Sequence, residues 1–151
     1  MKKFLTPLFL VTLFAALASG CSSNSVMVGL KVELTSIVHP SAGAPQVSWR
    51  VVNPNVVSYL VAQANHRIFL NGVLVGTIND REAVAVPAQS NANRVSPLVS
   101  GGPAAERTLA AAATAGSAAY RLESVVTIRL YGDSMDKSSL SSAGMVPVTT
   151  K

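Results

Sequence analysis

A mainly β fold, an antiparallel β-sandwich with one short α-helix, is what this sequence predicts, and three observations predict it. Apolar and polar residues alternate with period two in several separate stretches, the pattern of strands that bury one face. Clusters of Pro, Gly, Asn and Ser fall between those stretches at the spacing of about seven short strands. Only one stretch, rich in alanine, has helical character, so the βαβ rhythm of a parallel α/β enzyme is missing.

The first alternation runs through Val26, Val28, Leu30, Val32 and Leu34, with Lys31, Glu33 and Thr35 on the other parity. His39 to Pro45 supplies turn residues, and Val47, Trp49 and Val51 then alternate with Gln46, Ser48 and Arg50, which aims Trp49 at the core. Asn53-Pro54-Asn55 ends that strand, because proline fixes φ and asparagine bonds its own backbone. Arg67–Leu70 and Val73–Val75 flank Asn71-Gly72, the pair suited to a two-residue type I′ hairpin.

Ala83–Val86 predicts a further strand, and Arg94–Val99 another in which Pro97 argues for an edge or a bulge. Pro103–Ala115 predicts the helix, with proline at its start, Glu106 near the positive end of its dipole and Gly116 just past its end. Tyr120–Tyr131 alternates again, placing Tyr120, Leu122, Val126, Ile128 and Leu130 on one face, with Ser124 and Val125 interrupting the pattern. Gly132–Ser142 reads as a polar, flexible segment, and Met145–Val148 as a brief closing strand.

The N-terminus has a different composition. Lys2 and Lys3 precede an apolar run from Phe4 to Leu17 and the small residues Ala18-Ser19-Gly20, which together read as an export signal. That run is shorter than the ~20 residues a spanning helix needs, and Pro7 lies within it. Leu17-Ala18-Ser19-Gly20-Cys21 resembles the lipobox of bacterial lipoproteins, although the leucine stands one place earlier than is usual there. Ala18 and Gly20 would equally suit an ordinary signal peptidase. Cys21 decides between these readings: it is the chain's one cysteine, cannot form an internal disulfide, and gains a purpose as the acceptor of a diacylglyceryl group and a palmitate-type acyl chain. Ser22, where the resembled family would place an aspartate for inner-membrane retention, favours the outer membrane, facing the periplasm.

The chain therefore divides into a leader 1–20, a lipidated tether 21–25, a β domain 26–148 and a tail 149–151. The net charge of +5 includes Lys2 and Lys3, and the other basic residues are scattered singly, which is not the footprint of a nucleic-acid binder. His39 and His66 stand alone, without the spacing of a metal site, so no metal and no cofactor is expected. No serine lies in a Gly-x-Ser-x-Gly elbow, Asp133 and Asp136 lack the further oxygen ligands of a calcium loop, and Gly101-Gly102-Pro103 lacks the Lys-Ser/Thr of a phosphate loop. No catalytic residue is expected, and Asn53, Pro54, Asn55, Asn71 and Gly72 are read as structural turn residues.

Taken in order, the alternating first strand, the valine-rich strand ending in Asn53-Pro54-Asn55, Phe69-Leu70-Asn71-Gly72, Val86-Pro87-Ala88 and the strand from Tyr120 resemble the water-stress-and-hypersensitive-response (WHy) domain of type 2 late-embryogenesis-abundant proteins. The resemblance covers roughly Val26 to Val148 and departs at the alanine-rich Leu98–Gly116. It implies a sandwich of the immunoglobulin or fibronectin III kind, a role in desiccation and other stress, and no catalytic residues. The leading expectation is a non-enzymatic, lipid-anchored envelope protein with a binding or protective domain. Two others are carriage of a lipid or hydrophobic ligand in a groove lined by some of Leu30, Val32, Trp49, Phe69, Val126 and Ile128, against which a closed dry core is the favoured reading because alternating strands normally pack that way, and envelope assembly through an edge strand near Arg94–Val99.

Overall fold

A computed structural model describes residues 29–129 and 134–151. The leader, the tether with Cys21, and Val26, Val28, Leu130, Tyr131, Gly132 and Asp133 of the sequence reading lie outside the described residues. Among the described residues nine strands and one helix follow in order: β1 (Lys31–His39), β2 (Gln46–Asn53), β3 (Tyr59–Leu70), β4 (Val73–Asp80), β5 (Val84–Val86), β6 (Ser90–Pro97), β7 (Val99–Ser100), α1 (Pro103–Ala115), β8 (Ser117–Arg129) and β9 (Met135–Thr150). The fold is mainly β with one helix, as the patterning predicts.

The strands form one hydrogen-bonded path, β6-β2-β1-β9-β8-β3-β4-β7, with β5 paired to β3. β9 is what makes the path continuous. Its residues Met135–Pro147 pair antiparallel with β8, and Val148–Thr150 then pair in parallel with Ile37–His39 of β1. One strand thus serves both flanks, and the sheet curls into a half-barrel around the core.

Side-chain alternation explains most elements. In β8, Ala118, Tyr120, Leu122, Ser124, Val126 and Ile128 face inward without interruption. In β1 the register slips between Leu34 and Ser36, and this bulge at Thr35 lets Ile37 join Val32 and Leu34 in the core although its parity differs. Trp49 is inward and buried, as expected. α1 buries Ala105, Leu109 and Ala112, one helical stripe that packs against β4 and β9 and covers an end of the curl. Gly116 ends the helix at φ 79°, its N–H donating to the Ala113 carbonyl.

Three stretches depart from the sequence reading. Arg94–Val99 is divided at the buried Leu98 between β6, which ends at Pro97 on β2, and β7, which pairs with β4. β3 is one strand from Tyr59, longer than Arg67–Leu70 suggests, because a register shift between Val61 and Gln63 changes the parity partway and hides the alternation. β9 starts at Met135 and runs to Thr150, so neither the polar 135–142 stretch nor 149–150 is a tail. Lys151 is tied as well, its carbonyl accepting from Ser41 N–H at 3.0 Å. The reason is position: β9 is central, with main-chain partners along β8 and then β1, so its serines need little apolar burial to hold it. Among the described residues no helix is long and apolar enough to cross a membrane.

Candidate functional site

The open seam of the curl, between β6 and the β4–β5 connection, is closed by side chains. Asp80, at the end of β4, accepts from Arg94 Nε and Nη2 of β6 at 3.1–3.2 Å and from Ser96 Oγ at 3.0 Å. Ser96 Oγ in turn accepts from Trp49 Nε1 at 3.1 Å, and Arg94 also reaches Glu82 at 2.6 Å. Burial pushes the Asp80 carboxyl up, but hydrogen bonds from Arg94, the Glu82 amide and Ser96, with the Arg94 charge, outweigh it and hold the carboxyl below its ordinary value. Those same acidic partners raise Arg94.

A second buried contact lies beside it. His66 Nδ1 and Ser124 Oγ are 2.8 Å apart, and the Trp49 ring meets His66 edge to face. Burial pushes the imidazole down to about 4, against a smaller upward pull from the Asp80 charge. Ser124 was legible only as an interruption in an apolar face. The structure explains it: Ser124 keeps the inward parity of β8 and is the polar partner of His66 opposite on β3. Both side chains are buried, and both residues also line a cavity over β3, β4, β8 and β9. Among the described residues no group of three or more His, Cys, Asp or Glu side chains could hold a metal ion.

The turn residues are where the sequence places them. Asn71 and Gly72 have φ 48° and 84°, the two positive values that a type I′ turn requires. Asn71 also bridges to β8, its N–H donating to the Ala119 carbonyl at 2.8 Å and its Oδ1 accepting from Ala119 N–H at 3.2 Å. Asn53 is buried; its Nδ2 donates to the carbonyls of Val57 and Pro87 at 2.8 and 2.9 Å, and its Oδ1 accepts from Asn55 N–H at 3.0 Å. This one side chain thereby folds the Pro54–Ser58 loop against the end of β5.

That loop borders a cleft of about 700 Å³ lined by Val56, Val57, Ser58, Tyr59, Leu60, Ala85 and Arg129. Val56 is 79% and Val57 47% exposed. The chain joins the fold at the same end: a Cβ on Gly29 would stand 3.1 Å from Pro54 Cγ and 3.8 Å from the Asn55 side-chain amide. A second cavity, of about 640 Å³, lies over β4, β3, β8 and β9, with Arg67, Thr77, Glu123, Val125, Ser139 and Ser141 among its lining. Its lining also includes the buried His66, Ile78 and Ser124.

Of the six residues expected to line an apolar groove, the fold keeps five together and sets Phe69 apart. Leu30, Val32, Trp49, Val126 and Ile128 pack together in the core and line neither cavity. Phe69 is on the outer parity of β3, with the Arg121 guanidinium 3.7 Å from its ring centroid and that of Arg67 at 5.4 Å. Both arginines also pair with Glu123.

Comparison with known proteins finds likeness of fold. No protein-family description matches the chain, and no curated protein matches its sequence. The solution structure of AT1g01470 from Arabidopsis thaliana is similar at a TM-score of 0.52 and 17% identity, over 80% of each chain. A crystal structure of an Archaeoglobus fulgidus protein is similar at a TM-score of 0.47 and 16% identity, over 78% of this chain and 94% of that one. A solution structure described as that of a candidate late embryogenesis abundant protein, At2g46140.1, is similar at 0.47 and 12% identity, over 99% and 95%.

Proposed function

We propose that this chain is a lipid-anchored protein of a bacterial envelope whose β domain serves stress tolerance by binding rather than by catalysis. The observation that carries the anchor is Cys21, the chain's one cysteine, standing directly after an export-type leader and eight residue steps before Gly29, where the described fold begins. Two or more acyl chains on that cysteine hold a protein on a membrane stably, where one holds it marginally. The stress reading rests on the ordered motifs that resemble the WHy domain, and Ser22 favours the outer membrane facing the periplasm. A two-sheet arrangement of the immunoglobulin or fibronectin III kind belongs to the same reading, supported by the contact of Trp49 on one flank with His66 on the other.

Metabolic labelling with a fatty-acid probe tests the anchor. Label on the native chain that disappears in Cys21→Ala supports it, and an unlabelled native chain removes it. For the stress role, cells lacking the protein should survive drying, salt and detergent less well than their parent; equal survival in all three removes that part.

A further inference from the structure

Lipid on Cys21 would restrict how the domain can stand over its membrane, and the restriction favours one end. Eight residue steps from Cys21 to Gly29 span at most about 28 Å even when fully extended. β3, at 12 residues, runs roughly 40 Å from the Tyr59 end to the Asn71-Gly72 end. The chain joins the fold against Pro54, at the Tyr59 end, so the tether is too short for the opposite end to be turned onto the surface. The end that the tether holds nearest the bilayer is the one with the Pro54–Ser58 loop, the cleft behind it and Arg129.

The chemistry of that end fits a lipid surface. Val56 and Val57 project from the loop, and Met135, paired with Arg129 across β8 and β9, is exposed beside them. Tyr59 lines the cleft behind the valines, an aromatic residue suited to the depth of the headgroups. Arg129 makes no ion pair among the described residues, which leaves its guanidinium for a lipid phosphate. We propose that the Val56-Val57 loop and Arg129 form a membrane-contact surface, the two valines entering the interface of the membrane that holds the lipid and Arg129 taking a phosphate. This rests on acylation of Cys21.

The test uses the full-length chain carrying Val56→Cys and, separately, Val57→Cys, Val99→Cys or Met145→Cys. An acylated Cys21 has no free thiol, so the introduced cysteine alone takes an environment-sensitive fluorophore. Val56, Val99 and Met145 are all well exposed, and Val99 and Met145 lie toward the other end of the strands, so they serve as controls. Each purified protein is placed in vesicles of phosphatidylethanolamine and phosphatidylglycerol, with or without nitroxide-bearing lipid, and its intact mass is measured. Nitroxide lipid should reduce the signal at positions 56 and 57 about twofold or more and leave positions 99 and 145 unchanged, as expected for residues within ~10 Å of the headgroup boundary.

A protein whose mass includes the acyl groups but whose signal at 56 and 57 is unquenched overturns the membrane contact and leaves the anchor standing. A blue-shifted but unquenched signal at 56 points to a second copy over the cleft and overturns it too. A mass showing an unmodified Cys21 overturns the anchor, and the proposal with it.

Discussion

Trp49 meets His66 edge to face across the interior, with ring centroids 4.5 Å apart and planes inclined by 65°. Trp49 belongs to β2 on one flank of the curl and His66 to β3 on the other, so this contact joins the flanks where no backbone hydrogen bond does. It also keeps water from the imidazole, and from that a pH dependence follows.

His66 has its pKa pushed down to about 4 in the fold and titrates at its ordinary 6.5 when unfolded. Between those values the unfolded chain binds more protons, so stability is complete above 6.5, falls as the pH drops, and stops falling from this cause below about 4. The full loss is about 3 kcal/mol, at 1.36 kcal/mol per pH unit. Asp80, held below its ordinary 3.8, contributes in a lower window, its stabilisation being lost as the pH falls through its folded value. Urea denaturation across this range should show the slope, and His66→Phe should flatten it above pH 4.5 or so. A native profile already flat there would mean that the imidazole is not shielded.

Asp80→Asn should cost about 1–3 kcal/mol, because the buried carboxylate that accepts from both Arg94 and Ser96 is lost and half-buried Arg94 is left with Glu82 alone. The same change in an Arg94→Met background should cost less, since there is no guanidinium left to lose its carboxylate partner, and the coupling between the two sites should be about 1–3 kcal/mol. A double-mutant cycle by chemical denaturation measures it, and purely additive effects would mean that the seam is not closed by this pair.

Asn53→Ala removes both the donor to Val57 and Pro87 and the acceptor for Asn55 N–H. The expected cost is about 2–3 kcal/mol, since buried carbonyls are left unsatisfied. Hydrogen exchange should quicken first at Asn55 and at Gln89, whose N–H donates to the Asn55 carbonyl at 2.8 Å. Protection unchanged at both would show that the loop is held by something other than Asn53.

Two glycines should fail for different reasons. Gly72→Ala meets no atom within 4 Å, so its cost is the backbone at positive φ, about 1 kcal/mol. In Gly76→Ala the new methyl would stand 2.4 Å from the Val99 carbonyl oxygen and 2.8 Å from Leu98 Cγ, forcing β7 away from β4. Thermal unfolding should therefore show a larger fall for Gly76→Ala, about 2 kcal/mol or more.

The sequence by itself determined the elements whose signal is local. Period-two patterning placed β2 and β8 and turned Trp49 inward, and Pro103, Glu106 and Gly116 bounded α1, because capping and side-chain alternation act within a few residues. Asn71-Gly72 specified its hairpin for the same reason. What tertiary structure decided depends on partners far apart in the chain. Only the pairing of β9 with both β8 and β1 makes a strand of serines and a C-terminus that carry little hydrophobic pattern. The seam of Asp80, Arg94, Ser96 and Trp49 likewise joins residues up to 47 apart in sequence, and Ser124 was an irregularity until β3 set His66 opposite it. Burial and hydrogen bonding across strands depend on register, which alternation along any one strand does not specify.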